Sequence, residues 1–341
     1  MRAAQPHGTN NFNLLRLLFA LMVVVYHAAI LPGFAGWEQI EGWTSIGAEI
    51  GVQGFFVVSG YLVYASFENS SSLGVYAEKR IRRLYPAYAV VILACAAAAL
   101  IVSPAARADL MGVARYTGWN LVFANFMEPH LSGIFVQNGG TQVNGALWTL
   151  KIEVMFYLVL PLLVWLLRAA GKHVWLVFLL IYVASEAWRF GLNSIEQYDL
   201  AHQLPGQMSF FITGMVLYRQ HLSGWRIHAA GLLGACLLAA SIVSELAEPV
   251  RALGLGALVV WIATGWVRLP DPARFGDLSY GIYIVHFPII QTIAVLGVFQ
   301  IDRGLGVAAA LTTSVIAALL LWHLIEKPAL RADSAYRRAK A

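Results

Sequence analysis

Apolar runs of about 17–25 residues recur along this chain, separated by short gaps that hold most of its charged residues. Coiled as a helix at 1.5 Å per residue, such a run matches the ~30 Å hydrocarbon core of a bilayer. In lipid every backbone N–H and C=O must be satisfied within the protein, and for runs this long the helix is the structure that does so. The runs fall at roughly 12–31, 46–67, 84–103, 145–168, 174–190, 204–222, 227–244, 249–268, 279–299 and 306–325. With 59% hydrophobic and 12% charged residues and a mean hydropathy of +0.68, the chain is far more apolar than a soluble domain. The pattern predicts an all-α, polytopic membrane bundle of about ten transmembrane helices.

Cytoplasmic loops of such proteins are enriched in Lys and Arg. With the N-terminus inside, the inner segments carry Arg2, then Lys79, Arg80, Arg82 and Arg83, and later Arg168, Lys172, Arg219, Arg226, Arg268 and Arg274. The tail adds Lys327, Arg331, Arg337, Arg338 and Lys340, whereas the outer segments carry only Arg107, Arg115, Arg189, Arg251 and Arg303. An even number of spans with both termini cytoplasmic fits this alternation. The expected organisation is a cytoplasmic segment over 1–11, one transmembrane bundle over 12–326 with an outer-face segment at about 104–144, and a basic cytoplasmic tail over 327–341.

The net charge of +5 is spread over all inner loops rather than gathered into one patch, so topology accounts for it and no nucleic-acid partner is expected. Cys95 and Cys236 both fall within apolar runs as small hydrophobes, and no metal-ligand spacing is present. The first run is too long for a signal peptide's apolar region and contains Arg16, so it is expected to be retained.

That first run holds the pair that points most directly to chemistry, Arg16 and His27 in RLLFALMVVVYH. Eleven steps of about 100° bring the helix back to within about 20° of its starting direction, so both side chains share a face about 16 Å apart. A central Arg costs about 2.5–3.5 kcal/mol to insert, and ionisable residues within spans mark functional sites by default.

Four further stretches carry candidates. KRIRRLYP places Lys79, Arg80, Arg82 and Arg83 in an inner loop ahead of Pro86, expected at the start of the third helix. Such a cluster fixes topology and attracts anionic lipid. Alternatively Arg80 and Arg83, three apart, form an anion site suited to a phosphorylated cytosolic ligand. GVQGFFVVSGYLVY brings Gly51, Gly54, Ser59 and Gly60 into a span, for close helix packing or with Ser59 lining a pocket. No GxSxG elbow accompanies Ser59.

ALWTLKIEVMFYLVLP carries Glu153 with Tyr157 at i+4 on its face, whereas Lys151, two positions away, points elsewhere. Glu153 either bonds a neighbouring helix or pairs with His27, whose depth is comparable, to orient its ring and raise its basicity. SYGIYIVHFP aligns Ser279, Tyr283 and His286 at i, i+4 and i+7; the histidine is a satisfied core residue or part of a site. EKP, Glu326 to Pro328, ends the tenth run, with an interfacial ion pair as the ordinary role for its carboxylate.

Taken in order, Arg16 and His27 at Arg-x10-His spacing, GVQGFFVVSGYL, Arg80–Arg83 before Pro86, LWTLKIEVMFY, and SYGIYIVHFP with EKP resemble the acyltransferase-3 family over nearly the entire chain. Thr149 stands where many relatives have serine and Lys151 where relatives are often uncharged, and an appended esterase-like domain, which some relatives carry, is not expected here.

The resemblance implies an O-acyltransferase of a bacterial inner membrane. It would carry an acyl group, chiefly acetyl, from cytosolic acetyl-CoA (acyl-CoA) to a hydroxyl of an extracytoplasmic or lipid-linked glycan, with no metal. It implies His27 as the catalytic residue, general base or acyl-carrying nucleophile, with Glu153 as partner, and Arg16, near the inner end of the first helix, as a catalytic-site residue that helps hold the coenzyme's phosphates. Arg80, Arg82 and Arg83 would serve the coenzyme, and Ser59, Tyr283 and His286 would line its path. Two rivals stand on the residues alone: a proton-coupled sugar or lipid transporter or flippase, and a non-catalytic partner in an envelope complex.

Overall fold

The protein, seen as a computed structural model, is described over residues 10–34, 37–331 and 334. Arg2, Arg337, Arg338 and Lys340 lie outside the described residues. Among those described there are helices and no strands. The helices are α1 (Phe12–Ile30), α2 (Glu38–Glu68), α3 (Leu73–Val102), α4 (Pro104–Ala108), α5 (Leu110–Leu121), α6 (Trp148–Ala169), α7 (Val174–Asn193) and α8 (Tyr198–Ala201). They continue with α9 (Leu204–Gln220), α10 (Trp225–Val243), α11 (Arg251–Val260), α12 (Leu278–Val295), α13 (Val298–Ile301), α14 (Arg303–Leu321) and α15 (Lys327–Ala329). The all-α, multi-pass membrane architecture is as expected.

Two details differ. Nine helices among the described residues are long and apolar enough to cross a membrane, against the ten expected. The one that falls short is α9, whose 17 residues span about 25 Å. Its Gln207, Ser209 and Thr213 are buried against protein. The basic cluster, expected in a loop, is helical: α3 begins at Leu73 and carries Arg80, Arg82, Arg83 and Pro86 within it. Proline removes a single ladder bond there, the one that would reach the Arg82 carbonyl, and the rest of the helix runs through.

The chain divides into two compact units. The first comprises the residues up to Arg16, Val52–Ala77 and Ile152–Asp271. Glycines set its packing where α2 meets α9. A Cβ on Gly60 would stand 1.9 Å from the Phe211 carbonyl oxygen, and one on Gly214 2.2 Å from that of Val57. Only hydrogen fits at either place, so the backbones approach as small-residue membrane interfaces do. Phe156 stacks on Phe211 with ring centres 4.3 Å apart and meets Phe56 edge-on.

Deeper on α7, Arg189 is 1% exposed. Its Nη2 donates to Glu186 Oε2 at 2.6 Å, its Nε lies 3.5 Å from Glu248 Oε1, and its guanidinium covers the Phe210 ring.

The second unit comprises Leu17–Gly51, Glu78–Lys151 and Pro272–Ala341. Its spine is α12, of whose apolar stretch 72% is buried inside the protein. Gly281 lets α14 approach, since a Cβ there would meet that of Ala318 at 2.9 Å. The segment expected over 104–144 contains α4 and α5, followed by irregular chain. Asp109 caps α5, and the Ser132 hydroxyl, with the Gly112 N–H, holds its carboxyl below the ordinary carboxylate range.

Beyond α5 the irregular chain is pinned to α12. Asn138 Nδ2 donates to the Gln291 side chain and carbonyl, and Gln291 Nε2 donates to the carbonyls of Gly140 and Gln142. Asn144 Nδ2 donates to the Ile284 carbonyl at 2.8 Å. Backbone groups that have left regular structure are thereby satisfied by amide side chains, as buried polar groups must be.

Candidate active site

His27 occupies the last turn of α1. In the second unit it meets His286 of α12: His27 Nδ1 and His286 Nε2 are 2.9 Å apart, with ring centres 5.0 Å apart. His286 is wholly buried, and its Nδ1 lies 3.2 Å from the Ile282 carbonyl one turn back. Phe287 packs edge-on against His27 at 5.0 Å. Leu, Ile or Val at either ring position would remove a hydrogen-bonded chain that begins at a backbone carbonyl and ends on His27.

The SYGIYIVHFP face accordingly divides its labour. Ser279 donates to Asp277 Oδ1, Tyr283 hydroxyl lies 2.7 Å from Thr149 Oγ1, and His286 meets His27. Thr149 thus supplies a hydroxyl partner to Tyr283.

Arg83, expected with Arg80 on an anion-binding face, has a different environment. It is 4% exposed; Nη1 donates to Glu326 Oε2 at 2.6 Å and Nη2 to Asp277 Oδ2 at 2.7 Å. Its guanidinium also covers the Tyr280 ring, whose hydroxyl donates to the Leu84 carbonyl. Both Nη atoms are committed to carboxylates, so the fork is not offered to a ligand phosphate in this geometry. The cluster joins α3, the residue before α12 and the end of α14, where a π-helical turn over Trp322–Glu326 turns Glu326 inward to 2% exposure.

Arg82 is exposed, with Nε donating to Glu78 and Nη1 to the Ala329 carbonyl, while Arg80 is half-buried. Sequence reasoning passed over Asp277 and read Glu326 as interfacial. The available signal was an acidic residue directly ahead of a long apolar helix, where a buried carboxylate needs a partner.

In the first unit, Glu153 Oε1 accepts from Ser59 Oγ at 2.6 Å and from the Tyr157 hydroxyl. The expected i+4 pairing with Tyr157 is present, and Ser59 joins it from α2, 94 positions away in sequence. Lys151 lies over the Phe126 ring in the second unit. Arg16 is half-buried on α1, eleven positions before His27. Among the described residues no three His, Cys, Asp or Glu side chains converge as a metal site.

Chemically, the second unit presents an imidazole anchored through a second imidazole, and the first a carboxylate held by two hydroxyls. Each is a proton-handling group whose orientation is fixed by its neighbours.

Comparison with known proteins bears on what such groups do. A family model described as "Acyltransferase domain" matches residues 9–323. Nodulation protein 10 of Rhizobium leguminosarum bv. viciae is 29% identical over 94% of this chain and 93% of its own. The O-acetyl transferase of Shigella phage Sf6 is 26% identical over 96% and 98%. The peptidoglycan O-acetyltransferase OatA of Listeria monocytogenes is 25% identical over 92% of this chain and 54% of its own. No solved structure matches.

Proposed function

This chain belongs to the acyltransferase-3 family, and from that premise we propose that it moves an acetyl group from cytosolic acetyl-CoA to a hydroxyl of an extracytoplasmic or lipid-linked glycan in a bacterial inner membrane. The observation that carries the reading is the placement of His27 on a buried, polar anchor. An apolar helix that held a histidine only for packing would not supply its ring with a partnered imidazole. The O-acetyltransferases among its relatives support acetyl as the group and a glycan as the acceptor.

His27 is the residue that meets the acceptor hydroxyl, taking its proton as the oxygen attacks the thioester carbonyl. Turnover also depends on Glu153, whose charge is steadied by Ser59 and Tyr157, and on Arg16. The coenzyme's phosphates fall to Arg80 and Arg82, the members of the α3 cluster that are half-buried and exposed. Arg83 holds the base of that cluster in place.

The test is acetyl-CoA turnover by purified protein in nanodiscs, following free thiol release with candidate glycans. Wild type should release thiol, and His27→Ala should lose about 10²-fold or more of the rate. Undiminished release by His27→Ala would remove His27 from the chemistry. Absence of both coenzyme A binding and turnover in folded wild type would overturn the donor.

A further inference from the structure

When both rings are neutral, two histidines in contact share one proton chain, and its direction can be read from the end that has no choice. His286 Nδ1 faces the Ile282 carbonyl at 3.2 Å. A carbonyl only accepts, so Nδ1 carries the proton and the lone pair of His286 lies on Nε2. That lone pair faces His27 Nδ1 at 2.9 Å, so Nδ1 of His27 is the donor. The remaining nitrogen, His27 Nε2, holds the ring's basic lone pair.

We infer that His286 is a positioning residue that locks His27 in its Nδ1–H tautomer and thereby makes Nε2 the atom that acts on the acceptor hydroxyl. The inference rests on the proposed role of His27 as base. The Val23 carbonyl, four positions back, is a second acceptor for the His27 ring, but a backbone carbonyl shared with the helix ladder holds the proton less firmly than a dedicated imidazole lone pair. With His286 gone the second tautomer, in which Nε2 is protonated and inert as a base, gains population. The ring-on-ring contact does for His27 what an orienting third group does in histidine-assisted acyl transfer generally.

The proton accounting closes. His27 Nε2 takes the hydroxyl proton while the hydroxyl oxygen bonds to the thioester carbonyl carbon. The carbon–sulfur bond then breaks, and the departing thiolate recovers the proton from Nε2–H as coenzyme A thiol. In the interval His27 is an imidazolium whose Nδ1–H still donates to His286 Nε2, now as a charge-assisted bond. His286 gains no proton at any step. Phe287, edge-on to His27, and Tyr283, 5.8 Å from the His286 ring centre, hold both rings against rotation.

The experiment uses the full chain in nanodiscs, with His286→Leu, His286→Gln and His27→Ala compared by thiol release. Histidine labelled with nitrogen-15 reports tautomers, the His27 signals being those missing from His27→Ala. His286→Leu is expected to lower kcat on the order of 10²-fold with KM for acetyl-CoA unchanged, and to turn the His27 signal into a mixture of tautomers. His286→Gln, whose side-chain oxygen can accept from Nδ1–H, is expected to recover at least about tenfold of that loss.

Wild-type kcat in folded His286→Leu, or an unaltered Nδ1–H signal at His27 in that variant, would overturn the inference. Should neither variant fold, the wild-type spectrum decides: Nδ1–H at His27 supports the assignment and Nε2–H overturns it. Full turnover by His27→Ala is a separate failure, that of His27 as base, and is read from its own rate.

Discussion

Each unit buries an arginine between two carboxylates, and the two clusters are built in opposite ways. Arg83 reaches Asp277 and Glu326, 194 and 243 positions away, with short bonds from both Nη atoms. Arg189 has its short bond to Glu186, three positions back on the same helix, and Glu248 only at 3.5 Å. A local pair can form as soon as α7 coils. A pair spanning most of the sequence exists only when α3, α12 and α14 are all in place, so it reports and enforces the tertiary arrangement. Burying a charge is costly in either case, and what differs is how much of the fold depends on the compensation.

The sharpest way to break the comparison is Arg83→Ala. It leaves two buried carboxylates facing each other and is expected to cost about 3–5 kcal/mol of stability, measured by chemical unfolding in detergent. Arg83→Lys should recover less than half, because an ammonium is a point charge that cannot fork between two carboxylates. Next comes Arg189→Ala, expected at about 2 kcal/mol, since Glu248 keeps some solvent contact and the lost short bond is a local one. Equal losses for the two alanine variants would erase the distinction between local and long-range burial.

Smallest is Arg82→Ala, expected below about 1 kcal/mol because its pair with Glu78 is surface-exposed. On the proposed donor role its signature is instead a several-fold rise in KM for acetyl-CoA. An unchanged KM would remove Arg82 from the donor site.

The helices were legible because lipid imposes one rule on backbone and side chain alike, so length and apolarity suffice. The shortness of α9 was not, because the apolar run over 204–222 is longer than the 17-residue helix that forms within it. Pairings within a turn, such as Glu153 with Tyr157, follow from helical periodicity. Pairings such as Ser59 with Glu153, His27 with His286 or Arg83 with Asp277 join distant parts of the chain, and no local pattern encodes them. Arg83 shows the cost. Its spacing from Arg80 suggested a shared face open to an anion, but spacing says nothing of the two acids that meet Arg83.

The attachments of α12 have a mechanical consequence. Near one end Asp277 is tied to Arg83, and near the other Gln291 is tied to the irregular chain over 138–142. His286 stands between them, nine residues from one tie and five from the other, about 14 Å and 8 Å along the axis. A beam clamped at both ends bends least, and releasing either end turns it into a cantilever whose free length swings. Thermal jostling by lipid on one side of the bundle is therefore filtered before it reaches the imidazole. Cutting either tie, though both are remote from the ring, should loosen its aim.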